Sequence, residues 1–134
     1  MGLFEWWLER KNPGPQGQAK LNRDKTNLAQ WPLGWQVLVV VLGLAAWTGL
    51  IYLVLPWEIL SALKFLLGFA LYLVLSYFVH PSPATRNMGW MGGVMDNPFR
   101  FSDDVNRFLL FFQAFLFPGK IMLWTFRILW YWIK

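Results

Sequence analysis

Residues Val37 to Leu55, VLVVVLGLAAWTGLIYLVL, form a run of nineteen residues without a charge. A bilayer core about 30 Å thick is crossed by about 20 apolar helical residues. Trp31 and Trp35 precede the run and Trp57 follows it. The 22 steps from Trp35 to Trp57 make roughly 33 Å of helix at about 1.5 Å per residue. Tryptophan prefers the two membrane–water interfaces, so this spacing reads as an aromatic belt.

A second apolar run follows almost at once. Ile59 to Val79 carries one charge, Lys64, and ends at His80-Pro81-Ser82-Pro83. Proline lacks the amide donor and biases its predecessor away from helix. One helix from Val37 to Val79 would be roughly 65 Å long, about twice a bilayer core. The chain therefore turns at Pro56-Trp57-Glu58, with Pro56 expected at the first position of the second helix, where its missing donor costs nothing. Lys64 lies about one and a half turns inside. Its stem can carry the ammonium back toward Glu58, or it is an intramembrane charge awaiting an anionic lipid, a cofactor or a neighbouring subunit.

Composition agrees with a membrane protein. The 134 residues are 57% hydrophobic and 14% charged, against roughly 45–50% and about 25% in soluble domains. That much apolar surface excludes disorder. With no cysteine and one histidine, disulfide scaffolds, cysteine zinc sites and thiol catalysis are excluded. No phosphate-binding loop, nucleophile elbow or paired-histidine motif is present, so no enzyme is expected. The net charge of +5 comes from basic residues flanking apolar helices, which serve topology and anionic headgroups rather than nucleic acid.

Four segments follow. Residues 1–32 are an arm and linker. Gly2 to Lys11 sets Leu3, Trp6 and Trp7 on one face of a short amphipathic helix, a membrane-surface helix or a docking peptide, and Asn12 to Gln18 is a Pro/Gly linker. Residues 33–80 are the transmembrane hairpin. Small residues Gly43, Ala45 and Gly49 in its first helix and Gly68 in its second allow close helix approach. Residues 81–101 form a Gly/Met-rich loop, whose Met88, Met91 and Met95 suit adaptable packing better than metal binding.

Residues 102–134 are apolar but interrupted by Pro118-Gly119. Ser102, Asp103 and Asp104 suit a helix start. Beyond the interruption, Lys120, Trp124, Arg127, Tyr131 and Lys134 recur at spacings of 4, 3, 4 and 3, opposite Met122, Phe126, Leu129 and Ile133. That is the pattern of a helix lying in the headgroup plane. Two interfacial or re-entrant helices, about Asp103–Phe117 and Lys120–Ile133, are expected. A kinked third span is the alternative. The fold class is thus an all-α integral membrane protein, a two-helix hairpin between amphipathic interfacial helices.

Ser76 and His80 make a small-x-x-x-His pattern at the end of a membrane helix. Over these five residues the chain resembles light-harvesting polypeptides in the way they hold bacteriochlorophyll. The resemblance implies His80 as a ligand to a tetrapyrrole, pigment or haem.

The arm carries Arg10, Lys11, Lys20, Arg23 and Lys25, and Arg86, Arg100 and Arg107 follow the hairpin. Positive residues stay inside, which sets both hairpin ends on the cytoplasmic side of a bacterial inner membrane or its organelle equivalent. The leading functional expectation is a non-catalytic accessory subunit of a larger membrane complex, respiratory or photosynthetic. Its partners would be other membrane subunits and anionic lipid. The alternatives are a cofactor-binding antenna or electron-transfer subunit and a homo-oligomeric pore lined by Thr48, Ser61, Lys64 and Ser76.

Overall fold

A computed structural model of the chain describes Trp7, Gly14, residues 16–86 and residues 101–134, with side chains from Asp104 onward in the last segment. The elements run β1 (Gln18–Leu21), a short 3-10 helix (Leu28–Gln30), α1 (Leu33–Val54), α2 (Ile59–Phe78), β2 (Val79–Ser82) and α3 (Phe101–Ile133). Helix dominates. Leu33–Val54, Ile59–Phe78 and Asp104–Ile133 are each long and apolar enough to cross a membrane. Three such helices suggest an integral membrane protein.

The chain divides into two compact units. The first holds the β-pair and the start of α3. β1 and β2 pair antiparallel, with Lys20 opposite His80 and Leu21 opposite Val79. This corrects the all-α expectation: Gln18, the last residue of the expected linker, opens a strand, and the His80-Pro81 helix stop is itself extended. A two-stranded ribbon has free edges, so Pro81, which cannot donate, is tolerated. The Asn106 side chain, 1% exposed, accepts from the Gly17 amide at 2.7 Å and the Ala84 amide at 3.2 Å. Gly17 must be glycine there, since a Cβ would overlap the Ser82 carbonyl oxygen and lie 2.6 Å from the Pro83 Cα.

The second unit is the hairpin with the remainder of α3. Pro32 caps α1, its carbonyl accepting from Trp35 at 3.0 Å and Gln36 at 3.2 Å. α2 begins at Ile59, after Glu58 accepts from Ala62 at 2.9 Å. Pro56 therefore lies in the turn, not in the first position of α2. The Trp47 and Phe69 rings meet at 6.0 Å, which a continuous helix would hold roughly 33 Å apart. The chain does double back.

α3 overturns a sequence-based expectation. It runs unbroken through Pro118 and Gly119 for 33 residues, and its last third packs lengthwise on α1. Gln36 meets Trp132, Val39 meets Thr125 and Trp47 meets Met122, so the two helices are antiparallel. Proline in an apolar helix is tolerated where a neighbour re-satisfies the disturbed backbone. Here the Gly119 amide donates to the Tyr72 hydroxyl on α2 at 3.0 Å. Gly119 also admits α2 itself: a Cβ there would overlap Ser76 Oγ and lie 2.8 Å from Ser76 Cβ. The pair read as a breaker is a packing notch.

Candidate functional site

Polar groups in an apolar bundle are costly unless partnered. The second unit concentrates its own at the end shared by the start of α1 and the close of α3. Asp24 stands between two cations in the sequence, Arg23 and Lys25, yet is 7% exposed. Its Oδ1 accepts from the Thr26 hydroxyl at 2.5 Å and the Thr26 amide at 3.0 Å. This is an Asx-type turn that bends the arm toward α3. Its Oδ2 accepts from the Trp124 indole and faces Arg127 Nη1 at 3.4 Å. Arg127 Nη2 donates to the Thr26 carbonyl at 2.9 Å, while Nη1 is buried and makes no hydrogen bond among the described residues.

Burial alone would raise the Asp24 carboxyl. The two Thr26 donors, the Trp124 indole and the Arg127 charge outweigh it and hold Asp24 below its ordinary value. Lys120, half-buried one turn before Trp124, also lies within electrostatic reach of Asp24. One carboxylate thus offsets two cations of the α3 stripe.

Two further layers complete the arrangement. Gln36, 5% exposed, donates to the carbonyls of Leu28 at 3.2 Å and Trp31 at 2.9 Å, and accepts from the Trp132 indole at 2.8 Å. Beneath it Leu28, Val39, Val40, Trp124 and Ile128 form the apolar core. Trp31 packs edge-on against Trp124 at 5.3 Å. Deeper still, Thr125 Oγ1 is shared between the carbonyls of Ile121 at 2.9 Å and Val39 at 3.3 Å. A Cβ at Gly43 would overlap that hydroxyl.

The residues singled out from the sequence scatter across this picture. Trp124 and Arg127 belong to the Asp24 cluster, and Tyr131 is exposed on the same side of α3. Trp35 and Trp57, at opposite ends of α1, are exposed, and Trp31 is half-buried. Trp7 is helical and exposed. Trp6, the rest of its amphipathic segment, Met88, Met91 and Met95 fall outside the described residues, as do the side chains of Ser102 and Asp103. Of the four small residues, Gly43 is packed, against α3 rather than α2. Ala45 is exposed, and Gly49 and Gly68 have nothing near a would-be Cβ. Lys64 is exposed on α2, and no carboxylate among the described residues pairs with it.

His80 leaves the helix for β2, opposite Lys20. The notch at Ser76 is filled by the α3 backbone at Gly119. Ser76 and His80 thus lie on different elements, α2 and β2. Among the described residues no group of three or more His, Asp or Glu is placed to hold a metal ion.

Asp24, Gln36, Thr125 and Gly119 were missed by sequence reading. Asp24-x-Thr26 carries an Asx-turn signature that was available. Gln36 and Thr125 gave no signal of their role in docking α3 on α1, because the partners they meet across the two helices lie 96 and 86 residues away. Comparison with protein-family models, with curated proteins and with solved structures gives no match.

Proposed function

We propose that this chain is a non-catalytic accessory subunit of a larger membrane complex. The observation that carries it is how little of the hairpin its own fold covers. α2 fully buries only Ser76, while Leu60, Leu63, Leu67, Leu71 and Val74 are more than half exposed. Lys64 projects from the same helix without a described partner. Lipid satisfies leucine as well as protein does, but an ammonium inside an apolar helix calls for a headgroup or a carboxylate of a neighbour. Asp24, Thr26, Gln36 and Thr125, by contrast, make their polar contacts within the second unit and fasten α3 to the hairpin. That is the division expected of a scaffold: a rigid interior and an open outer face.

Both hairpin ends sit on the cytoplasmic side in this reading, by the weight of Lys20, Arg23 and Lys25. The test is purification of the chain from its native membrane in mild detergent, followed by mass spectrometry of the intact assembly. A defined set of other membrane subunits, lost in a Lys64→Leu variant, is expected. A stable monomer that carries nothing with it would overturn the proposal.

A further inference from the structure

At the end of the second unit where α1 begins and α3 closes lies an open cavity of about 370 Å³. Its wall includes Lys25, Asn27, Arg127 and Tyr131. We infer that this cavity binds a phosphate group, as carried by an anionic lipid headgroup or by free phosphate.

Four observations on the same few residues support it. Lys25 and Arg127 bring two positive charges to one hollow. Asp24, which offsets part of the Arg127 charge, is not among the lining residues and keeps its oxygens on Thr26, Trp124 and Arg127. The cavity is therefore left net positive. The guanidinium is also held in place in advance, by the Thr26 carbonyl on one side and Asp24 on the other. A donor fixed before the ligand arrives loses less freedom on binding it. Neutral donors complete the set. The Asn27 side chain makes no capping bond to the short helix it precedes, and the Tyr131 side chain is 57% exposed. Finally, Leu28 of the cavity wall belongs to the cluster against which Trp31 packs, and tryptophan is enriched at the headgroup level of a bilayer. The inference stands on the membrane character of the chain and is independent of membership in a complex.

The test uses the full chain in a phosphate-free maltoside detergent. Dihexanoyl phosphatidic acid, inorganic phosphate and the phosphate-free dihexanoylglycerol are titrated in turn, and bound species are counted by native mass spectrometry. One phosphatidic acid per chain is expected, bound about tenfold more weakly by Lys25→Glu, the loss of one charge-assisted contact. Lys20→Ala, at an exposed lysine on β1, is expected to bind as the parent does. Lys25→Gln, which removes the charge without reversing it, is expected to fall between, and thermal melts of each variant confirm that it is folded. If inorganic phosphate saturates the site with the same dependence on Lys25, the inference holds with free phosphate as the ligand. Equal binding by the parent and Lys25→Glu would overturn it. So would equal loss in Lys20→Ala, or binding of dihexanoylglycerol as tight as that of the phosphatidic acid.

Discussion

Asp24 is the residue on which the polar end of the second unit turns. It is the acceptor for Thr26 and Trp124 and the counter-charge for Arg127. Asp24→Asn keeps the shape and removes the charge, so Arg127 is left facing a neutral amide. A loss of about 1–3 kcal/mol is expected at neutral pH, as for a buried charged group deprived of its partner. The sign with pH follows from the depressed carboxyl. Its stabilisation is complete above the unfolded value near pH 4 and is lost as pH falls through the folded value. Thermal melts of the parent and of Asp24→Asn should therefore differ at pH 7 and converge below about pH 4. A difference that stays constant through that range would remove Asp24 from its assigned role. The glycines give a second comparison at this scale. Gly43→Ala places a Cβ on the Thr125 hydroxyl and is expected to destabilise by about 1–3 kcal/mol, as overpacking does. Gly49→Ala enters open space and is expected to be neutral or to stabilise by up to about 1 kcal/mol through helix propensity. Denaturant titration of the two variants in detergent separates them.

The elements show where local reading succeeds and where it stops. α1 and α2 are written into nineteen uncharged residues, a proline-bearing turn and flanking tryptophans, because a membrane span is a local property of composition and length. α3 is not, because its continuity depends on groups elsewhere in the chain. Pro118 and Gly119 look like a stop until Tyr72 supplies an acceptor for the Gly119 amide and Ser76 fits against the missing Cβ. Lys120 and Arg127 read as the cationic stripe of a helix in the headgroup plane until Asp24 is brought from about a hundred residues away to face Arg127. The helix periodicity was legible, and Lys120, Trp124, Arg127 and Tyr131 do share a stripe. What that stripe faces was not. The short β-pair was equally hidden, since Val79-His80-Pro81-Ser82 carries a helix-stop signal and its partner strand precedes both hairpin helices. Tyr72→Phe isolates the element-scale claim. It removes one interhelical hydrogen bond at the proline, and a loss of about 0.5–1.5 kcal/mol in thermal or denaturant stability is expected. A Tyr72→Phe variant as stable as the parent would mean that α3 passes Pro118 without help from α2.

For the molecule as a whole, the polar contacts of the second unit carry a statement about sides. Arg127 reaches Thr26 and Trp132 reaches Gln36, so the close of α3 lies at the end of the bundle where α1 begins. The hairpin tip at Glu58 is at the other end. With no cysteine in the chain, single cysteines report this without background. The decisive measurement is labelling of Lys25→Cys, Lys134→Cys and Glu58→Cys, one at a time, by a membrane-impermeant maleimide in sealed, oriented vesicles. The account predicts that Lys25→Cys and Lys134→Cys label from the same face and Glu58→Cys from the opposite one. Labelling of Lys25→Cys and Lys134→Cys from opposite faces would contradict the antiparallel docking of α3 on α1, and with it the scaffold on which the proposed function rests.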